Sequence, residues 1–283
     1  MTSPDLNPDR APVLAFIGGG NMARSLIAGL RAQGHRAQAL RVADPSAAAT
    51  AALAKDFGVT IARDNAEAVT GADLVLLAVK PQVMADVCTG LAPYLPTGIP
   101  VVSIAAGIRS GQIDAWLGGQ RAVIRAMPNT PALLQAGATG LFGNRLCTDR
   151  QRALAQHLMD AVGVTVWIDD EDLMDAVTAV SGSGPAYVFR LIEAMQAAAV
   201  AQGLPADSAR TLVLHTVFGA ARMALETGED ATTLRQRVTS PGGTTAAAMA
   251  AFDDSGFNAG VEQAIDAATR RGAELSRPAD SNP

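Results

Sequence analysis

The residues with the clearest chemical pattern follow a short apolar run at positions 13–17. Gly18, Gly20 and Ala23 satisfy the spacing G-x-G-x-x-G/A. In that spacing the first glycine permits a tight turn after a strand, the second lets the backbone approach a pyrophosphate, and the last small residue keeps the next helix close to the strand. The N-terminus of that helix faces the anion. The pattern therefore predicts a dinucleotide site.

The six-residue pattern alone is equally compatible with a glycine-rich turn that binds nothing. Its context favours a dinucleotide site, because the pattern lies between a predicted strand and a predicted helix. Asp44 ends the next predicted strand about 24 residues after Gly20, close to the spacing expected for a carboxylate that binds the ribose hydroxyls. The 2′-phosphate of NADPH would place like charges side by side at this position. We therefore expect NADH to compete well with NADPH.

Three more predicted strands end in residues that suit the same site, because ligands of an open parallel sheet bind beyond the carboxyl ends of its strands. Residues 74–79 run into Lys80 and Pro81, where the proline stops the strand and leaves the lysine near the cofactor. A solvated loop lysine is an equally good interpretation. The segments 103–107 (SIAAG) and 125–131 (RAMPNTP) leave room for a nicotinamide ring, and the two prolines stiffen the second. Either segment alone is better interpreted as a structural turn.

Two glycine-rich turns open predicted helices in the second half of the chain. Residues 240–245 (SPGGTT) present unpaired backbone N–H groups and hydroxyls, which suits a small anion such as a carboxylate. Residues 181–187 (SGSGPAY) carry hydroxyl caps and a proline in the first helical turn, which an ordinary N-cap explains. We interpret His35, His157 and His215 as surface or structurally satisfied side chains.

The first half of the chain repeats a short apolar run, a turn and a helix-compatible stretch, which is typical of a parallel sheet covered by helices. Strands are predicted at 12–17, 39–43, 73–79, 100–104, 122–126 and 164–168. Helices are predicted at 21–33, 46–57, 65–70, 82–92, 109–117 and 149–161. After residue 169 apolar residues recur at helical spacing instead. Helices are predicted there at 171–180, 185–202, 206–227, 231–237, 244–254 and 257–274.

This change of pattern predicts an α/β N-terminal domain with a doubly wound, mostly parallel sheet, followed by an all-α C-terminal domain. The glycine motif makes the first domain Rossmann-type, and the apolar helices of 185–227 make the second a dimerisation domain. The predicted segments are a disordered tail at 1–11, a dinucleotide-binding domain at 12–168, a helical dimerisation and substrate domain at 169–276, and a disordered tail at 277–283.

Composition limits the functional class. The chain has 283 residues, 49% hydrophobic content, a formal net charge of -5 and no long basic run, so nucleic acid is not an expected partner. The apolar run at 13–17 is too short for a signal peptide or a membrane span. Cys88 and Cys147 lie far apart and outside metal-ligand spacing, which predicts no metal site and a reducing, cytoplasmic location. The apolar, alanine-rich helices of 185–227 predict a homodimer or a higher homo-oligomer.

Taken together and in this order, these motifs resemble the pyrroline-5-carboxylate reductase family over about residues 12–276. The matching segments are 16–22 (FIGGGNM), 78–81 (AVKP), 102–107 (VSIAAG), 125–131 (RAMPNTP), 181–187 (SGSGPAY) and 240–245 (SPGGTT). The resemblance implies a Rossmann-type domain and a helical domain that intertwines with a second subunit. It also implies reduction of 1-pyrroline-5-carboxylate, a cyclic imino acid, to L-proline, with NADPH or NADH as cofactor.

The resemblance further implies roles for individual residues. The cofactor positions are Ile17, Gly18, Gly19, Gly20, Asn21, Met22, Asn65, Ala78, Val79, Lys80, Ala105 and Ala106, to which the strand-end argument adds Asp44. The substrate positions are Ser240, Gly242, Gly243, Thr244 and Thr245, with the catalytic Thr245 placed to hydrogen-bond the ring nitrogen. Two positions depart from the family. Its members often carry a small hydroxyl residue in place of Asp44, which weakens the expectation of an NADPH preference, and Arg237 stands where some relatives have an asparagine near the cofactor.

Reduction of a cyclic imine needs a hydride donor held against the C=N carbon and a proton on the nitrogen, so positioning supplies most of the catalysis. Two alternatives stay open. A hydroxy-acid dehydrogenase on the same two-domain plan would need a lysine or similar group on the helix after Pro185, and residues 186–200 contain no lysine. A non-catalytic, regulatory dinucleotide-binding protein would bind the cofactor without turnover.

Overall fold

The structure of the chain is a computed structural model that describes residues 11–276. The predicted tails lie outside the described residues, apart from Ala11. The described chain forms two compact units. One consists of the residues up to Ser183 together with those from Ala268 onward, and the other is Gly184–Ala267.

The first unit is built on an eight-stranded sheet. Its strands are β1 (Leu14–Ile17), β2 (Leu40–Ala43), β3 (Thr60–Ile61), β4 (Leu74–Leu77), β5 (Val101–Ser103), β6 (Val123–Met127), β7 (Gly137–Gly143) and β8 (Gly163–Trp167). Their spatial order is β3-β2-β1-β4-β5-β6-β7-β8. The pairs from β3 to β6 are parallel, β7 is antiparallel to β6, and β8 is parallel to β7. The predicted fold class, a mostly parallel doubly wound sheet, is confirmed.

Helices cover both faces of this sheet. They are α1 (Asn21–Ala32), α2 (Ala47–Phe57), α3 (Asn65–Val69), α4 (Met84–Leu91), α5 (Ser110–Trp116), α6 (Asp149–Asp160) and α7 (Met174–Val177). Leu14 and Phe16 of β1 pack in one buried cluster with side chains of α1 and α6, whereas Ala15 and Ile17 pack in a second with α3, α4 and α5. Successive strand residues point to opposite faces, so each buried strand needs apolar residues throughout.

Two strands were not predicted from the sequence. β3 has two residues, both exposed, and therefore gives no apolar signal. β7 has the sequence GATGLFG, in which three glycines lower the strand propensity. Packing requires small residues at these positions, because a Cβ added at Gly140 would lie 2.5 Å from Val177 Cγ1. Tertiary contact thus overrides local propensity in β7.

The contact boundary between the units falls after Ser183 rather than near residue 169. The intervening segment packs with the sheet: Val177 faces Gly140, and Glu171 forms an ion pair with the buried Arg125. The helix predicted over 171–180 is wrong in detail. A 3-10 turn (Glu171–Leu173), a single turn of α7 and a π-helical turn (Thr178–Gly182) take its place. The functional division into 12–168 and 169–276 stays a prediction.

The second unit is helical. Its helices are α8 (Gly184–Ala201), α9 (Ala206–Thr227), α10 (Ala231–Arg237), α11 (Thr244–Asp254) and α12 (Phe257–Leu275), whose last part belongs to the first unit. Gly228 and Gly256 end helices with φ of 67° and 72°, as expected for glycine at a helix end. Within Gly184–Ala267 only Ala209 and Val213 are buried. The helices of this unit therefore expose most of their apolar side chains.

Gly29 provides a test of the packing between α1 and α6. A Cβ at this position would overlap the carbonyl oxygen of Ala161, just after α6. We expect Gly29→Ala to lower the free energy of unfolding by about 1–3 kcal/mol, measured by urea denaturation. Gly90→Ala is the control, because Gly90 lies in α4 with no atom within 4 Å of its Cβ position. Alanine there should raise stability by about 0.5–1 kcal/mol. Equal effects at both positions would contradict this account.

Candidate active site

The glycine-rich turn after β1 depends on a close backbone approach. Gly18 has φ of +101°, a region that side chains disfavour. A Cβ on Gly18 would lie 2.5 Å from the carbonyl oxygen of Ala78, the residue that follows β4. The Gly18 N–H donates to Ala43 O (2.8 Å), and the Ala78 N–H donates to Ile17 O (2.8 Å). The ends of β1, β2 and β4 are therefore held together at this turn.

The N-terminus of α1 follows directly and has the properties of an anion site. Gly20 is the N-cap residue, and no side chain caps the helix. A Cβ at Gly20 would meet nothing within 4 Å, so the space in front of it is open. Free backbone N–H groups at the start of a 12-residue helix, facing open space, fit a pyrophosphate. The residues present thus fit a dinucleotide at the point where strand order reverses between β2, β1 and β4.

Asp44 lies immediately after β2, where the sequence places it. Its two carboxylate oxygens accept one backbone N–H each, from Gly19 (2.7 Å) and from Ser46 (2.7 Å). The Ser46 hydroxyl in turn accepts from the Ala49 N–H (3.3 Å) and caps α2. Asp44 is therefore anchored beside the glycine turn, with lone pairs left to accept hydrogen bonds from ribose hydroxyls.

The other predicted cofactor residues lie at neighbouring strand ends or helix starts. Asn65 is half-buried at the start of α3, which Asp64 caps. Lys80 follows β4 and is exposed. Ala105, after β5, is buried and donates its N–H to Ser103 Oγ (3.3 Å), whereas Ala106 is exposed. Because β2, β1, β4 and β5 are adjacent, the carboxyl-end residues that follow them share one edge of the sheet. Their roles toward a cofactor stay predictions.

Asn129 holds the loop after β6. Its side-chain N–H donates to Ser181 O (3.1 Å), and its side-chain oxygen accepts from the Ala138 N–H (3.0 Å). The sequence attributes the rigidity of this loop to its prolines, but these two hydrogen bonds also hold it. The bond to Ser181 joins residues 52 positions apart and the bond to Ala138 joins residues 9 positions apart. Only the first of these contacts depends on the tertiary structure.

The turn at residues 240–245 lies in the helical unit. Gly242 has φ of +70°, and Gly243 donates its N–H to Ser240 O (3.0 Å). Gly243 is the N-cap residue of α11, an 11-residue helix without a side-chain cap. Thr244 is exposed and Thr245 is half-buried. This arrangement suits a carboxylate, as the sequence predicts, since backbone N–H groups at the helix start have no competing side chain.

Thr245 also lines a cavity of about 320 Å³ inside the helical unit. The remaining wall is mostly apolar and consists of Ala220, Met223, Ala224, Ala231, Leu234, Arg235, Val238 and Met249. The Thr245 hydroxyl is therefore a polar group beside an apolar surface. Such a combination orients a small ring through one hydrogen bond while apolar side chains contact its methylene groups.

The cysteines and histidines supply no reactive constellation. Burial raises the pKa of Cys88 to about 12 and that of Cys147 to about 11, so both thiols are protonated at neutral pH. Burial lowers the pKa of His35, whose ring lies 3.0 Å from Pro12 O. Within residues 11–276, no group of three or more His, Cys, Asp or Glu side chains could hold a metal ion. No helix in the same span is long and apolar enough to cross a membrane.

Comparison with known proteins places the chain in a family. Residues 13–107 match a family model described as NADP oxidoreductase, coenzyme F420-dependent, and residues 171–275 match pyrroline-5-carboxylate reductase dimerisation. The pyrroline-5-carboxylate reductase of Pseudomonas aeruginosa is 52% identical over 265 residues, which cover 94% of this chain and 97% of that protein. The chain belongs to the pyrroline-5-carboxylate reductase family.

Solved structures of this family resemble the chain over nearly its whole length. The pyrroline-5-carboxylate reductase of Coxiella burnetii has a TM-score of 0.92 and 42% identity, covering 95% of this chain and 100% of that one. A pyrroline carboxylate reductase of Plasmodium falciparum with NADP bound has a TM-score of 0.82 and 27% identity, covering 94% and 98%. The family resemblance inferred from the sequence is confirmed.

Asp44 provides a test of cofactor choice. Asp44→Asn removes the charge but keeps an oxygen that can accept from the Gly19 N–H. We expect the ratio of kcat/KM values to shift toward NADPH by about tenfold or more, because repulsion of the 2′-phosphate is removed. Steady-state kinetics with both cofactors measures the ratio. Asp149→Asn, an exposed carboxylate in α6, is the matched control. An unchanged ratio in Asp44→Asn would show that this carboxylate only anchors the turn.

Proposed function

We propose that this protein reduces 1-pyrroline-5-carboxylate to L-proline with NADPH or NADH. The observation that carries the proposal is the uncapped α1 N-terminus behind the Gly18 turn in a chain that belongs to this reductase family along 94% of its length. The turn supplies the anion site that a dinucleotide needs. The Gly243 turn supplies a second uncapped helix N-terminus, which suits a carboxylate.

The cofactor is held by the residues at the strand ends of the first unit. The N–H groups at the start of α1 bind the pyrophosphate, and Asp44 accepts from ribose hydroxyls. Ala78, Ala105 and Ala106 line the groove with small side chains and backbone, and Val79 and Lys80 follow β4 at the same edge. When bound, the reduced nicotinamide supplies the hydride for the carbon of the C=N bond.

The substrate is oriented by the turn at residues 240–245. The backbone N–H of Thr244, at the start of α11, binds its carboxylate, whereas the N–H of Gly243 closes the turn on Ser240 O. The Thr245 hydroxyl oxygen accepts a hydrogen bond from the protonated ring nitrogen, which holds the iminium form and sets the face that is attacked. No strong acid is needed, since the iminium already carries the proton that the product amine retains.

A steady-state assay tests this function directly. Absorbance follows the oxidation of NADH and NADPH with 1-pyrroline-5-carboxylate, and the reduction of NAD+ and NADP+ with a panel of 2-hydroxy and 3-hydroxy acids. We expect turnover with the cyclic imino acid only. Turnover with a hydroxy acid alone would favour the dehydrogenase alternative, although α8 has no lysine after Pro185. Cofactor binding without any turnover would favour a regulatory protein.

Thr245→Val tests the proposed catalytic contact, because it removes one hydroxyl and preserves the shape of the side chain. We expect kcat/KM for the imino acid to fall about tenfold to a hundredfold, equivalent to about 1–3 kcal/mol. Circular dichroism should show an unchanged fold. Thr232→Val, at an exposed position in α10, is the control for loss of a threonine hydroxyl in the same unit. Wild-type kinetics in Thr245→Val would remove this residue from the mechanism.

The exposed apolar surface of the helical unit supports a homo-oligomer, of at least two copies. Phe218 is 60% exposed and Leu225 is 83% exposed on α9. Monomeric proteins rarely leave large apolar side chains of neighbouring helices in water. The match of residues 171–275 to a dimerisation family points the same way. The substrate is a small molecule, and we propose a cytoplasmic location because both cysteines are free.

Light scattering coupled to gel filtration tests the oligomer. We expect a molar mass at least twice the 29.0 kDa of one chain. Phe218→Glu, which puts a charge on the exposed face of α9, should lower that mass at a given concentration. A fully active monomer of wild-type protein would contradict the proposal.

A further inference from the structure

The loop after β5 carries Ala105 and Ala106 and ends at the start of α5. Its α5 end is held by Glu171, which is distant in sequence. Glu171 Oε1 accepts from the Ser110 N–H (2.6 Å), and Oε2 accepts from the Ser110 hydroxyl (2.9 Å). Ser110 is the first residue of α5. A carboxylate from another part of the chain thus binds the first turn of this helix.

The same carboxylate is largely buried and paired. Arg125 Nη1 of β6 donates to Glu171 Oε1 (3.1 Å), and the two side chains are 7% and 14% exposed. Arg109 Nη2 approaches Oε2 at 3.8 Å. A buried carboxylate with this set of donors has one well-defined position, because any other position would leave a charge without partners.

The middle of the loop is held from a second direction. Gly107 has φ of +73°, and a Cβ there would lie 3.1 Å from Leu275 Cβ, at the end of α12. Next to Leu275, the buried Ser276 donates its hydroxyl to Asp175 Oδ1 (3.2 Å). Glu171 therefore fixes the α5 end of the loop that contains Ala105 and Ala106, and Leu275 packs against its middle; both residues belong to the first unit.

We infer that Glu171 is a positioning residue for cofactor binding. It fixes the α5 end of the loop so that the backbone of Ala105 and Ala106 keeps the position that the nicotinamide end of the cofactor requires. The inference rests on the proposed function, which assigns these two alanines to the cofactor. Both oxygens of Glu171 are used by Ser110 and Arg125, so its effect on the cofactor is indirect.

Glu171→Gln tests the inference, since it keeps the size of the side chain but removes its charge. We expect the KM and the dissociation constant for NADPH and NADH to rise about tenfold. The KM for the imino acid and kcat at saturating cofactor should change less than about threefold, because the loop serves cofactor binding. Asp172→Asn is the matched control. Asp172 is the next residue, pairs with Arg109 at 2.6 Å and is 71% exposed, so we expect no change in cofactor affinity.

A double variant distinguishes a role of Glu171 in positioning the loop from a role in the stability of the fold alone. Replacing both Arg125 and Glu171 by methionine removes the unpaired buried charge that a single substitution leaves. We expect the melting temperature to recover toward that of the wild type while the dissociation constant of the cofactor stays about tenfold high. Recovery of stability and affinity together would show that Glu171 has only a structural role.

Direct titration of NADPH fluorescence with wild-type protein distinguishes the two possible failures. If wild-type protein binds no cofactor, the proposed function is wrong. If it binds and Glu171→Gln binds equally well, the inference about Glu171 is wrong. Should Glu171→Gln fail to fold, Ser110→Ala removes one of the two hydrogen bonds, and we expect the cofactor dissociation constant to rise about threefold. No rise in Ser110→Ala would also overturn the inference.

Discussion

The backbone of Gly18 lies so close to the carbonyl oxygen of Ala78 that no side chain fits between them. This contact lets the turn after β1 pack directly on the end of β4. The N-terminus of α1, which follows the turn, faces the open space in front of Gly20. The hydrogen bonds from Gly18 to Ala43 and from Ala78 to Ile17 depend on the same approach. A larger residue at position 18 would separate the strand ends on which the proposed cofactor residues stand.

Two carboxylates near the carboxyl ends of the strands, Asp44 and Glu171, have different hydrogen-bond partners. Asp44 is half-buried and accepts only backbone N–H groups, so it remains available to a ligand. Glu171 is largely buried, and its oxygens are occupied by Ser110 and Arg125. A buried ion pair of this kind contributes little net stability, because desolvation offsets the attraction between the charges. Its main effect is to specify one arrangement of the segments it joins.

The helical unit follows a different principle. With only Ala209 and Val213 buried, it has almost no core of its own, and its apolar side chains line helix faces that remain open. The turn at residues 240–245 depends instead on local conformation, through the positive φ of Gly242 and the helix start at Gly243. A site built on backbone N–H groups needs few specific side chains, and among the described residues Arg235 is the one charged residue in the wall of the cavity that Thr245 lines.

Local signals in the sequence determined most helices and the buried strands. The bounds predicted for α9, α10 and α11 match the structure. Pro205 and the glycines at 228 and 243 start or stop helices through their backbone preferences, and Asp230 caps α10 with its side chain. The Gly18 motif and Asp44 could be identified because their spacing along the chain reflects a single strand–turn–helix–strand unit.

Only the tertiary structure decided the rest. The glycines of β7 carry no strand signal; the strand forms by pairing with β6 and β8, and Val177 occupies the space that a side chain at Gly140 would need. The hydrogen bonds between Glu171 and Ser110 join residues 61 positions apart, and Glu171 follows two aspartates at the start of a segment that the sequence predicts only as a helix over 171–180. Helix caps and turns are determined by neighbouring residues, so the sequence reveals them. Contacts between distant segments depend on how the chain folds back, and neighbouring residues in the sequence carry no signal of them.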